Sequence, residues 1–139
     1  MSTRSLTVVI HENEKPLLCM YRHCDGYPTG HGKELKDFLK GMRIVNGIVT
    51  RKGNTANGMG CLAAQIVAHF KDGIGGVYLY PTDTQEAGQD YTYTISTYMD
   101  EADLTRRVLL KIENSLGTIY KGPIAEADMD AIELAVNSD

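Results

Sequence analysis

Leu6-Thr7-Val8-Val9-Ile10, then the polar run His11-Glu12-Asn13-Glu14-Lys15, then Leu17-Leu18-Cys19-Met20-Tyr21-Arg22 is the stretch that decides the fold reading. The first run is β-branched and apolar, the last is apolar, and the residues between them suit a turn, so the chain opens as a β-hairpin. Strand-like alternation returns in Gly76-Val77-Tyr78-Leu79-Tyr80 and in residues 91–98. Residues 107–112 and 118–121, joined by a turn at Ser115-Leu116-Gly117, complete a C-terminal meander. Helical spacing is equally plain. Leu35, Phe38, Leu39 and Met42 recur at i, i+3, i+4 and i+7, with Gly41 near the end. Leu62, Ile66, Val67 and Phe70 mark a second helix over about 59–71, capped by Thr55 or Asn57, and Met129, Ile132 and Val136 mark a third. Ile44 to Thr50 reads as a strand or an ordered loop.

Hairpins dominate and no βαβ alternation appears. The predicted fold is therefore α+β, one domain over residues 1–139, with an antiparallel sheet of about five to six strands. About three helices are expected to cover one face of that sheet. The net charge of −4 and the scattered basic residues argue against a general nucleic-acid binder. No apolar run reaches the roughly 18 residues that cross a bilayer, and no signal-peptide pattern opens the chain. Three cysteines, an odd count, argue against a disulfide framework, so a cytoplasmic setting is expected.

Candidate chemistry concentrates in Tyr21-Arg22-His23-Cys24-Asp25-Gly26-Tyr27-Pro28-Thr29-Gly30-His31-Gly32. A carboxylate close to an imidazole can fix its tautomer, so His23 and Asp25 are the candidate acid–base pair if the protein is an enzyme. The same residues also suit a hydrogen-bonded structural turn. Cys19, His23, Cys24 and His31 match no zinc spacing, and no metal or cofactor is expected. Gly30, His31, Gly32 and Lys33 precede a helix, where free N–H groups and close backbone approach favour an anion. The segment is not a Walker A loop, because Tyr27 stands where its first glycine belongs and Glu34 where Ser or Thr follows the lysine.

A second glycine-rich segment, with Arg51, Lys52, Asn54, Thr55, Asn57 and Gly58, leads into the second helix in the same manner. Two such preambles point toward a phosphate-bearing small molecule, against the plainer reading of two capped helices. Tyr78 with Tyr80, and Tyr91 with Tyr93, share strand faces. If those strands pair, the rings form either an aromatic platform for a base or a homo-oligomer surface, or ordinary cross-strand packing. His69 and His11 read as packing or surface residues.

The opening Thr3-Arg4-Ser5 together with Tyr21, His23, Asp25-Gly26-Tyr27-Pro28, Gly30 and Gly32 resembles a family of small proteins of tailed phages and their bacterial hosts. Members of that family begin Met-x-Thr-Arg-Ser and carry His-Trp-Asp-Gly-Tyr-Pro, and here Cys24 stands in place of the tryptophan. The resemblance covers about the first 40 residues and implies a phage context, with no particular reaction. By analogy of size and context, it also implies kinship of role with phage proteins that sequester nucleotide signals of host immunity.

The expected function is thus a ligand-binding protein, homo-oligomeric, that holds a phosphate-bearing molecule of the nucleotide-derived kind. Arg4, His23, Asp25, Tyr27, Gly30, Gly32, Lys33, Arg51 and Asn57 are the expected contacts. One alternative is a hydrolase using His23 and Asp25, with Ser2 as a variant N-terminal nucleophile. The other is an inhibitor that binds a host protein through its tyrosines.

Overall fold

Ser5–Ile10 (β1) and Pro16–Arg22 (β2) form the expected hairpin, closed by a hydrogen bond from His11 N–H to the Lys15 carbonyl. The computed structural model describes residues 2–47 and 54–137. After the hairpin come a π-helical turn at Pro28–Gly32 and helix α1 at Lys33–Leu39, then short strands β3 (Arg43–Val45) and β4 (Thr55–Asn57). Helix α2 runs Gly58–Phe70, and β5 is Val77–Tyr80. A meander of β6 (Tyr91–Asp100), β7 (Thr105–Asn114) and β8 (Gly117–Pro123) follows, and α3 (Met129–Asn137) ends the chain.

The α+β class, the hairpin, the meander and the three helices agree with the reading from sequence. The sheet does not. Among the described residues it has eight strands, in the order β4-β3-β7-β6-β1-β2-β5, with β8 also on β7. It is mixed, because β1 runs parallel to β6 and β3 runs parallel to β4. The physical reason lies in β1 itself. Parallel neighbours are normally buried on both faces and read as near-continuous apolar runs, and Leu6 to Ile10, apolar except for the buried Thr7, approaches such a run.

Alternation along β1 sends Ser5, Thr7 and Val9 to one face and Leu6, Val8 and Ile10 to the other. The first face meets the helices. Leu35 and Leu39 of α1, Leu62 and Ile66 of α2 and Met129 of α3 share one core with Met20, Tyr93, Ile95 and Leu110. Leu62 and Ile66 are fully enclosed, each worth about 1.5–3 kcal/mol of burial. On the second face a smaller cluster of Leu6, Cys19 and Tyr21 is backed by Val8 and by Ala87 of the 81–90 loop. That loop carries the chain from β5, at one edge, back to β6 at the centre.

The four tyrosines do not form a platform. Strand β5 pairs with β2 instead of β6, so Tyr78 and Tyr80 lie on the second face around Tyr21, with Tyr21 stacked on Tyr80 at 5.2 Å. Tyr93 is fully buried on the helix side. Its hydroxyl donates to the Gly26 carbonyl at 2.7 Å, and burial drives its pKa far upward.

Candidate functional site

The glycine-rich motif leaves β2 and turns sharply at Asp25, which takes a left-handed φ of 61°. Aspartate tolerates this conformation better than most residues. The turn brings the Asp25 carbonyl onto the backbone of the following helical turn, where it accepts from His31 N–H at 2.7 Å. A Cβ on Gly30 would sit 2.4 Å from that same oxygen, so glycine is required there by contact. Gly32 is buried under Met129, whose sulfur would lie 3.0 Å from an added Cβ.

The backbone donors expected to hold an anion are already used. Gly30 N–H and Gly32 N–H donate to the Tyr27 carbonyl, and Lys33 N–H donates to the carbonyls of Gly30 and Pro28. Helical backbone begins one turn earlier than the periodicity suggested, at Pro28. Its first free donors, Thr29 N–H and Thr29 Oγ1, meet the carboxylate of Glu133 from α3 at 2.9–3.0 Å. A negative charge does occupy this helix start, and the chain itself supplies it. Lys33 is likewise tied to α3, by an ion pair with Asp130 at 2.9 Å that raises its pKa.

His23 and Asp25 are not joined to each other by any hydrogen bond among the described residues. His23 Nδ1 meets the Tyr21 hydroxyl at 3.1 Å, and the Tyr27 hydroxyl donates to Asp25 at 3.3 Å. The Asp25 charge raises the Tyr27 pKa, and Arg22 stands 4.0 Å from the Asp25 carboxylate. Arg4 lies elsewhere. Its backbone clamps Asp90, and its guanidinium rests beside Gly88 on the 81–90 loop. Asn57 makes no cap bond to α2; its side chain accepts from Gly47 N–H at 3.1 Å, so the capping expectation fails there. Arg51 and Lys52 fall outside the described residues.

His31 stands outside the expected ligand contacts, and the structure gives it a place in the core. It is completely buried, with Nε2 2.6 Å from Thr7 Oγ1 and Nδ1 3.1 Å from an Arg22 Nη. Guanidinium can only donate, so Nδ1 accepts and the proton sits on Nε2, donated to Thr7. Phe70 and Tyr93 pack against the ring at 5.0 and 5.1 Å. Burial, reinforced by the positive Arg22, pushes the His31 pKa down to about 3. Arg22 is held in turn by Glu34. The signal was present in the spacing, because His31 extends the stripe of Leu35, Leu39 and Met42 one turn toward the N-terminus.

Three clefts frame what these groups can bind. Beside the motif, one of about 380 Å³ is lined by Arg22, Cys24, Glu34, His69 and Asp72 among others. Its one guanidinium is already matched by Glu34. Another cleft, about 870 Å³, lies on the helix-free face and carries carboxylates without any lysine or arginine. A third, about 510 Å³, lies between the start of α2 and the β3–β7 pair, with His11, Glu12, Arg43, Gly58 and Arg106 in its wall. Arg43 and Arg106 make no ion pair among the described residues, whereas the adjacent Arg107 is paired with both Asp100 and Asp103. Among the described residues no three His, Cys, Asp or Glu side chains come together to hold a metal ion, and no helix is long and apolar enough to cross a membrane.

Comparison with family models, with curated proteins and with solved structures finds no match for this chain.

Proposed function

We propose that the protein binds a phosphate-bearing small molecule, and that the ligand sits between Arg43 and Arg106 at the start of α2 and not in the glycine-rich motif. The observation carrying this reading is that Arg43 and Arg106 both border this cleft and neither makes an ion pair among the described residues. Planar guanidinium matches phosphate oxygens with two parallel hydrogen bonds. The thirteen-residue α2 opens into the same cleft at Gly58 and Met59, adding the partial positive charge of its N-terminus. His11 supplies a further donor, and Glu12 is a carboxylate in the same wall, outnumbered by the two guanidiniums.

Holding the ligand, without turning it over, is supported by the separation of His23 from Asp25 into different hydrogen bonds. A sequestering role for a nucleotide-derived signal fits both that inertness and the resemblance to small phage proteins. Titration calorimetry with inorganic phosphate, AMP and a cyclic dinucleotide tests the reading. Each charge-assisted contact is worth about 1.5–3 kcal/mol, so Arg43→Ala and Arg106→Ala should each weaken binding roughly ten- to hundredfold. Equal affinity in both variants, or no heat with any phosphate compound, would overturn it.

A further inference from the structure

The 870 Å³ cleft on the helix-free face is within the size range of small-molecule sites. Its floor is the outer row of β1, where Val8 and Ile10 are half-buried and Leu6 is already enclosed, extended by the exposed Pro16. In the parallel register Leu6 lies beside Thr92 and Val8 beside Thr94, so a row of hydroxyls borders the apolar row. From Val8 to Ile10 the accessible part of β1 is about 7 Å long at about 3.3 Å per residue, and Pro16 lengthens the floor.

The rim carries Asp83, Glu86 and Asp90 from the 81–90 loop and Glu113 from the end of β7. Glu113 is shared with Lys111 at 3.5 Å, and Arg4 lies against Gly88 of the same loop. Four carboxylates against those two cations leave the rim negative. Asp90 and Glu86 each use an oxygen on a backbone N–H, while Asp83 makes no hydrogen bond or ion pair among the described residues. An anionic ligand is excluded from such a site on charge grounds. A metal ion is also disfavoured, because these carboxylates do not converge. Separated carboxylates around an apolar floor suit a cation whose charges are themselves separated by methylenes.

We propose that this cleft binds an aliphatic polyamine, its methylene chain on Val8, Ile10 and Pro16 and its ammonium groups on the carboxylates of the rim. Val8 and Ile10 would then have an apolar partner on their open side, and Thr92 and Thr94 would accept from an inner ammonium.

The test is titration calorimetry of the full chain with spermidine at 0.15 M salt, where exposed charges beyond about 8 Å are screened. Binding is expected, weakened at least tenfold in Asp83→Asn/Glu113→Gln. The charge-matched control Asp37→Asn/Glu101→Gln, at two exposed positions elsewhere, should bind as wild type. In the wild-type protein, spermidine should shift the amide resonances of Val8, Gln89, Thr92 and Thr94, a readout that needs no variant. No heat with spermidine, an equal loss in the control, equally tight binding of 1,8-octanediol, or resonance shifts confined to other surfaces would each overturn the proposal.

Discussion

Below neutral pH the fold should lose stability through one imidazole. His31 is neutral in the folded protein and stays so down to about pH 3, whereas in the unfolded chain it titrates near 6.5. Between those values the unfolded state binds the extra proton. Stability is therefore fully present above pH 6.5 and falls as the pH drops toward 3. The difference of 3.5 units (6.5 − 3) at about 1.36 kcal/mol per unit gives roughly 5 kcal/mol, a large share of a small domain's total. Carboxylates titrate in the lower part of the same window, so the effect must be isolated by comparison. His31→Gln retains a donor for Thr7 and an acceptor for Arg22 and carries no titratable proton. Urea unfolding of both proteins at pH 7, 6, 5 and 4 should show wild type declining faster by about 1.4 kcal/mol per unit through the middle of the range. The ring resonances of His31 in the folded wild type should not titrate above pH 4. Parallel stability curves, or a His31 ring that titrates near 6, would refute the reasoning.

Gly30→Ala places a methyl 2.4 Å from the Asp25 carbonyl and should cost at least about 2 kcal/mol in urea unfolding, because backbone has to move. Glu133→Ala frees the Thr29 donors and should lower stability by about 1–3 kcal/mol, with a double-mutant cycle against Thr29→Val showing clear coupling. Tyr93→Phe leaves the Gly26 carbonyl without its buried donor and should cost about 1–3 kcal/mol, read as a lowered melting temperature.

Local patterns were legible and distant pairings were not. Leu35, Leu39 and Met42 announced α1, and Leu62 and Ile66 announced α2, because a helix buries residues at a spacing visible within one window. The hairpin and the meander were equally visible, since each turn fixes its own pairing. Nothing local to residues 77–80 says that β5 joins β2, or that β6 returns to β1; those choices depend on which faces remain to be covered. The double-sided apolar run in β1 was the available clue to a parallel neighbour. In the motif, the density of His, Asp, Tyr and Gly suggested a pocket. Much of it is spent on a tight backbone crossing, a buried histidine and a seam with α3, whose partner Glu133 lies 104 residues away.

The central place of β1 also sets a schedule. It borders a strand that begins 86 residues later in the chain, the separation of Arg4 from Asp90 at the start of their contact. At a synthesis rate of about 5–20 residues per second, roughly 4 to 17 s pass before β6 can join it. During that interval the hairpin has formed, within microseconds of emerging, yet the free edge of β1 and the part of the core that Tyr93 and Ile95 of β6 complete stand open to water. A chain halted after Tyr80 would hold that exposed state permanently. Such a truncation should be recovered with holdase chaperones and in inclusion bodies, while one extended through β7 should begin to partition into the soluble fraction.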